Sequence, residues 1–420
     1  MSALLVTSLA ACQSDSSPAS PSLALDDPAR VDSVIDAYVS EGTFPLLYAR
    51  LEDRDGRVMY EHGAVNEALL PGIEVNGQTW FRVWSMSKIV TISVALDLVE
   101  DGILALDDSV VQYIPEFEGL EVAVSPGGDD LALLDEKEAA CPSRVVPVTE
   151  AMTVRHLINH EAGFYYATTG IPCLDEPLVA RNVVKAENSQ AFVDALAGLP
   201  LIQQPGSRYQ YGINTTVLGI VAERATGKSL KQLVEERVTD PLQISDVRYG
   251  LPPDVRLLPR ISGQDGTLRV ARPGELDLFG PDVPDYGPDH ELFLGGEGML
   301  ATTDGYADFL RMLLNRGELN GYRFLEESTV EEIASPHTQL DSDYGHNGYN
   351  LWVNNGTLAD GSQGVGGLWI GGGYEGTHFW IDSEREFVGL IMSQIYGVPE
   401  RGWSRDEVIR EAIYAQLSIE

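Results

Sequence analysis

Lysine is nearly absent from this chain: five in 420 residues, at positions 88, 137, 185, 228 and 231. With 64 acidic residues against 28 basic ones, the formal net charge is -36. A surface so acidic repels nucleic acid and anionic lipid headgroups, which removes both as partners. Past the N-terminal region, no apolar run reaches the length needed to cross a bilayer. Gly-x-Ser-x-Gly, the nucleophile elbow of α/β-hydrolases, is missing. No glycine-rich phosphate loop follows a strand. Only three cysteines occur, at 12, 141 and 173, and none has a Cys-x-x-Cys or zinc spacing. His156 and His160 stand four apart but lack a third ligand at a known spacing. Asp341-Ser342-Asp343 opens like a calcium loop without the rest of the pattern. No metal and no cofactor are therefore expected.

Against that background Ser85-Met86-Ser87-Lys88 stands out. Lys88 is the only lysine with a serine three residues ahead of it. Residues three apart share one helix face, so the amine can lie beside the hydroxyl. A serine hydroxyl becomes a useful nucleophile when a base sits within hydrogen-bond reach. A capping serine beside a solvated lysine would read the same over four residues, but the flanks differ. Phe81, Val83 and Trp84 precede the serine, and Ile89, Val90, Ile92, Val94, Ala95, Leu96, Leu98 and Val99 follow. Apolar residues on nearly every side mark a buried helix. A buried amine without a task is costly. Unperturbed lysine has a pKa of about 10.4, so use as a base near neutrality requires a downward shift of roughly three units.

The patterning predicts a first helix from Pro28 to Val39, then strands over Pro45–Leu51 and Val58–His62 joined by an Asp53–Gly56 turn. A short strand over Thr79–Val83 leads into the Ser85 helix, which ends near Gly102. Residues 106–340 read mostly as helix with long loops: Thr153–His160, Ser189–Ala197, Thr216–Ala225, Leu230–Val238 and Thr303–Leu314, with Gly263–Asp289 a loop. Strands return at Tyr349–Val353, Val365–Ile370, Thr377–Asp382 and Phe387–Gln394, and a helix closes the chain over Asp406–Leu417. The expected class is α+β: an antiparallel β-sheet flanked by helices and built from both termini, with a mostly helical inserted domain. The expected division is 1–27 as a leader and tether, 28–105 plus 341–420 as the sheet domain, and 106–340 as the helical domain.

Two further stretches supply what a serine–lysine pair lacks. Tyr211-Gly212-Ile213-Asn214 opens an apolar helix, and a tyrosine there can move a proton. Trp369-Ile370-Gly371-Gly372-Gly373-Tyr374-Glu375-Gly376 lies between two strands, where glycine amides can approach a substrate and hold an oxyanion. Taken singly, a loop-anchoring tyrosine and a glycine-rich hairpin bend explain them as well.

Together, in this order, the three motifs resemble those of the serine β-lactamase-like superfamily: class C β-lactamases, D-Ala-D-Ala peptidases and family VIII carboxylesterases. Met152–Gly163 and Gly295–Thr302 are similar to that superfamily as well. The resemblance implies Ser85 as the acylated nucleophile, Lys88 as its base partner and Tyr211 as general acid/base. It implies an oxyanion hole from the Ser85 N–H and that of Gly372, with Tyr374 as the rival to Gly372. Two departures bear on substrate. The resemblance implies substrate contacts from Trp369, Asn214 and Tyr374, but the second motif is Tyr-x-x-Asn rather than Tyr-x-Asn, which bears on the role of Asn214. Trp369 stands where β-lactamases carry a cation for the substrate carboxylate, and family VIII esterases look similar in having tryptophan there. A small-molecule ester or amide is thus the expected partner, with neutral short-acyl esters favoured. A β-lactamase or D-amino-acid-specific peptidase is the enzymatic alternative, and a penicillin-binding-like sensor that acylates without turnover the non-catalytic one.

The run Leu4–Ala11 before Cys12 looks like a bacterial lipoprotein signal, and Gln13–Pro21 reads as a flexible tether. The expectation is an exported, periplasmic or cell-envelope protein held to the membrane only by lipid on Cys12. In such an oxidising compartment Cys141 and Cys173 would pair. Oligomeric state is not written in the sequence.

Overall fold

Strict alternation along the strands produces a sheet with two buried faces. In Leu46–Asp53, Leu47, Ala49 and Leu51 face one side and Leu46 the other; in Thr377–Asp382, Trp380 opposes Phe379 and Ile381; in Phe387–Met392, Phe387 and Ile391 oppose Val388, Leu390 and Met392. A strand buried on both faces needs helices on both. The computed structural model supplies them, and it describes residues 23–128, 131, 141, 144–275, 284, 286, 287, 289–338, 344–397 and 404–419. Cys12, the 13–21 tether, Asp341-Ser342-Asp343 and part of the 263–289 loop lie outside the described residues.

The central sheet has seven antiparallel strands in the order Gly345–Asn347, Trp352–Asn354, Trp369–Gly373, Thr377–Asp382, Phe387–Met392, Leu46–Asp53 and Val58–Val65. Residues from both ends of the chain thus meet where Phe387–Met392 pairs with Leu46–Asp53. One face is covered by helices Pro28–Ser40, through Val31, Ile35 and Val39, and Ser404–Tyr414, through Ile409 and Ile413. The other carries the main core. There Thr303–Leu314 packs on the sheet, Tyr306 meeting Phe379 with ring centres 5.7 Å apart. Helices Ser87–Glu100 and Asn214–Thr226 share that core, which runs without a break from sheet residues such as Leu390 to Val193 and Leu196 in helix Ser189–Ala197. The fold is α+β, with its antiparallel sheet between helical layers.

Several segments differ from the sequence expectation, among them these three. The helix expected over 153–160 is confined to Val154–Ile158, and His160 adopts a left-handed φ of 56°. Its carbonyl accepts from Gln210 N at 2.6 Å, a tertiary tie that outweighs helix continuation. The strand expected over 365–370 spans Trp369–Gly373. Gly367, with φ 80°, turns the chain just before it. The glycines, for which a hairpin bend was one of two readings, are therefore strand residues. The helix expected over 230–238 changes after Val234 to a wider turn, Glu235–Thr239.

Two ties support stability predictions. Glu52, only 3% exposed, pairs with Arg50 at 2.9 Å and Arg311 at 2.7 Å, joining the sheet to helix Thr303–Leu314. Burial pushes its carboxyl upward, against the pull of the two arginines. Glu52→Ala removes the buried carboxylate the two guanidinium groups share, while Arg50 keeps Glu61 and Asp304 and Arg311 keeps Asp308, so it is predicted to cost about 1.5–3 kcal/mol in urea unfolding; a loss below about 0.5 kcal/mol contradicts the pairing. Cys141 and Cys173 form a disulfide across a sequence separation of 32. Chain-entropy reasoning gives about 3–4 kcal/mol for such a loop. Cys173→Ser is expected to lower the melting temperature by several degrees, and an unchanged melting curve rejects the link as a stabiliser.

Candidate active site

Ser85 lies in a short 3-10 turn, Trp84–Met86, that feeds directly into helix Ser87–Glu100. N–H groups at the start of such a run have no carbonyl partner one turn back and carry the positive end of the helix dipole. The helix is apolar all round, with Ser87 to Leu96 and Leu98 buried. Lys88 is consequently enclosed, at 0% exposure. Its amine lies 3.2 Å from Ser85 Oγ, 3.0 Å from Tyr166 Oη and 2.8 Å from the Gly296 carbonyl. The Glu297 carboxylate pairs with it at 3.5 Å.

The Gly295–Met299 segment is sewn along the same helix. Thr91 Oγ1 donates to the Gly295 carbonyl at 2.7 Å, and Met299 N–H donates to Ser87 Oγ at 3.1 Å. A Cβ on Gly295 would meet Thr215 O at 2.8 Å and Thr91 Cγ2 at 2.9 Å, so only glycine permits the approach. Glu297 is thereby carried inward to 1% exposure. Both its oxygens are occupied: Tyr166 Oη donates to one in a short contact, and Thr216 Oγ1 donates to the other at 2.6 Å. Burial, reinforced by Glu297, pushes the Tyr166 hydroxyl well up, so it stays a phenol.

Tyr211 also reaches Ser85, its Oη 2.8 Å from Ser85 Oγ. At 36% exposure it faces solvent, where a substrate can enter. Its ring stacks on His160, with centres 4.8 Å apart at 22°, and lies 5.0 Å from the Lys88 nitrogen. His160 Nδ1 accepts from Gly212 N–H at 3.3 Å and from Asn214 Nδ2 at 3.1 Å. Burial, with the Lys88 charge, holds the His160 pKa well below its ordinary value and the ring neutral.

The third expected element also arrives beside the serine. Trp369–Gly373 pairs over its full length with Thr377–Asp382, but the strand on its other side reaches only Trp369 and Ile370. From Gly371 to Gly373 that edge is open toward the Ser85 turn, and a Cβ at Gly373 would sit 2.4 Å from Val83 O. Backbone amides can therefore come close to a carbonyl bound at Ser85. Trp369 is half-buried on the sheet face shared with Gly371 and Gly373. Tyr374 packs edge-on against Trp84, with centres 5.3 Å apart.

The structure thus brings Ser85, Lys88 and Tyr211 together and sets the glycine strand alongside. Asn214, expected to touch substrate, is buried instead, donating to His160, Phe164 O and Gln210 O. Its place at the first turn of a buried helix forces it inward. Tyr166, Thr216 and Glu297 escaped sequence reasoning. For Glu297 a signal existed: a lone acid among glycines in an otherwise apolar stretch. Tyr166 and Thr216 gave none. Among the described residues no cluster of His, Cys, Asp and Glu could hold a metal. His156 caps its own helix, its Nδ1 accepting from Thr153 N–H at 3.3 Å.

Protein Rv1367c of Mycobacterium tuberculosis is 29% identical over 293 residues, which cover 68% of this chain and 66% of that protein, just under two thirds of its length. Lovastatin esterase of Penicillium rubens is 26% identical over 73% of this chain and 72% of its own. Among solved structures, the unliganded selenomethionyl form of simvastatin synthase (LovD) from Aspergillus terreus superposes with a TM-score of 0.72, at 22% identity over 93% of this chain and 98% of that one. EstCE1, described as a hydrolase with promiscuous acyltransferase activity, gives 0.72 at 20% identity, over 93% and 99% of the two chains. At such identities the structural likeness concerns fold. The sequence pattern of the Beta-lactamase family, however, runs from residue 31 to residue 413, and this chain belongs to that family.

Proposed function

We propose that this chain is a serine hydrolase acting through an acyl-enzyme on Ser85, and specifically a carboxylesterase of small or short-acyl esters. The observation that carries the reading is the contact set of Ser85 Oγ: an enclosed amine at 3.2 Å and a solvent-facing phenol at 2.8 Å. In acylation Ser85 Oγ attacks the ester carbonyl while its proton passes to Lys88 or Tyr211. The oxyanion is held by the Ser85 N–H and an amide of the open strand edge, that of Gly372 or Tyr374. Tyr211, exposed on the substrate side, returns a proton to the leaving alcohol. Water then attacks the acyl-enzyme and releases the acid. One ester and one water give one acid and one alcohol.

The ester preference rests on Trp369, which offers an apolar wall where a carboxylate-bearing lactam or peptide end wants a cation. Lovastatin esterase, and EstB of Burkholderia gladioli at 27% identity, are named as esterases, which supports the same choice. The acyltransferase mokF of Monascus pilosus, 27% identical, points to acyl transfer to an acceptor other than water as an alternative outcome. A cell-envelope location with lipid on Cys12 is part of the proposal. A disulfide at Cys141–Cys173 supports it, since such bonds persist in oxidising compartments.

Turnover of p-nitrophenyl butyrate is expected to exceed that of nitrocefin in the wild type. Ser85→Ala should remove ester turnover by on the order of 10⁴-fold, and Tyr211→Phe should lower kcat by about 10²–10⁴-fold. Retained turnover in Ser85→Ala rejects the nucleophile, faster nitrocefin cleavage rejects the ester preference, and a burst without turnover identifies a sensor. Trp369→Lys should raise the nitrocefin-to-ester ratio by about tenfold, the worth of one charge-assisted contact. An unchanged ratio removes Trp369 from substrate selection.

A further inference from the structure

We propose that Tyr209 and Trp352 form the subsite for the leaving alcohol, with Tyr209 as a hydrogen-bond donor and Trp352 as an apolar wall. The class it takes is an ester of a compact ring alcohol that carries an acceptor, an ether or carbonyl oxygen, away from the ester. This inference deepens the carboxylesterase reading and rests on it.

The place of the alcohol follows from the proton route of that reading. Tyr211 Oη, 2.8 Å from Ser85 Oγ, returns a proton to the leaving oxygen. The alcohol therefore leaves beside Tyr211, and it meets the residues that continue the wall from there. That wall can be followed ring by ring. Tyr211 stacks on His160 with centres 4.8 Å apart. His160 meets Tyr209 at 5.8 Å, and Tyr209 meets Trp352 edge-on at 6.4 Å. Trp352 opens the strand Trp352–Asn354 and pairs with Ile370, where the cover on that side of the glycine strand stops. The wall thus runs from Tyr211 to the start of the open Gly371–Gly373 edge. It carries no full charge, since burial and the Lys88 charge hold His160 neutral. Such a lining suits a neutral, largely apolar group.

Within this wall Tyr209 has an unused donor. Its side chain is half-buried, yet among the described residues its hydroxyl has no hydrogen-bond partner. Burial, reinforced by Tyr211, pushes that hydroxyl well up, so it stays a phenol with a proton to donate. Tyr166, whose own oxygen lies 3.0 Å from the Lys88 amine, also registers Tyr209. The Tyr209 oxygen therefore lies within electrostatic reach of both phenols around Ser85.

Packing against His160 and Trp352 needs only the ring, and a phenylalanine would supply it. The hydroxyl is surplus to the fold. Its backbone is fixed on both sides: Gln203 Nε2 donates to the Arg208 carbonyl at 2.5 Å, and Gln210 N–H donates to the His160 carbonyl at 2.6 Å. A donor held in advance loses little freedom on binding. An unpaired polar group in a partly dry wall favours a substrate that can pair with it and disfavours one that cannot.

The test uses three esters: ethyl butyrate, cyclohexyl butyrate and the tetrahydropyranyl ester in which an ether oxygen replaces the ring CH₂ opposite the ester. All three leave the same butyryl group on Ser85. Deacylation is then common to them, and differences fall in kcat/KM, which covers binding and acylation. Tyr209→Phe removes one oxygen and keeps the ring. It is expected to lower the tetrahydropyranyl-to-cyclohexyl ratio of kcat/KM by about tenfold, the worth of one neutral hydrogen bond. A hydroxyl that merely steadied Tyr211 would slow both esters alike, so an unchanged ratio overturns the donor. Trp352→Leu should lower the cyclohexyl-to-ethyl ratio by about three- to tenfold through lost apolar contact, and an unchanged ratio overturns the wall. Both readouts are ratios within one variant, so partial loss of folded protein cancels from them. Failure of the underlying reading looks different. It would show as wild type that turns over none of the three esters, or as Ser85→Ala that still turns over all of them.

Discussion

Enclosure of the Lys88 amine is the constraint around which the rest of the site is arranged. An amine with no exposed surface cannot exchange its partners for water, so each must come from the chain. Helix Ser87–Glu100 fixes its root and Ser85 supplies one partner. The others come from distant segments, residue 166 and residues 296–297, and these reach the amine only because glycines at 295 and 296 let the backbone press against the helix. Tyr211 arrives from a fourth segment, placed by a stacked, neutral His160 that itself depends on Asn214 and Gly212. The site is therefore a convergence of loops and helix starts on one buried nitrogen, while the sheet provides the frame and one open edge.

Much of this was legible in the sequence because the residues concerned obey local rules. Thr303–Leu314 and Thr377–Asp382 match their expected bounds because period 3.6 and period 2 are sharp there. Ser85 and Lys88 were legible because spacing alone places them on one helix face. Tyr211 became legible only through its motif, since nothing in a lone tyrosine before an apolar helix fixes its partner. Tyr166 and Glu297 depend on a contact across a sequence separation of 131, which no local pattern encodes. Asn214 was misjudged for a related reason: its position in the motif suggested substrate, whereas the burial of its helix start sent it to His160.

The glycine stretch shows how two readings of one sequence can both hold in part. Glycines weaken a strand, having no side chain to pack. Here each gap is already filled by something else: the Phe379 ring at 2.6 Å from a Cβ on Gly371, Thr377 O at 2.9 Å from one on Gly372, and Val83 O at 2.4 Å from one on Gly373. The strand survives because Thr377–Asp382 pairs with all five of its residues. A bend would have satisfied the composition equally well, but it could not have offered a straight, open amide edge beside the nucleophile.

Trp84 couples that edge to Ser85. Its φ of 45° lies in the left-handed region, which disfavours a bulky residue by on the order of 1–3 kcal/mol. Such strain persists only where surrounding contacts over-determine it. Trp84 is buried, its ring meets Tyr374 at the end of the glycine strand, and Tyr374 in turn meets Tyr396 with centres 4.9 Å apart. The residue immediately before Ser85 is thus held by the residue immediately after the glycines. A shift of either the serine turn or the strand end disturbs the same aromatic contact. The positions of Ser85 Oγ and of the open Gly371–Gly373 edge are therefore set by one packing arrangement, which is the preorganisation the proposed oxyanion site requires.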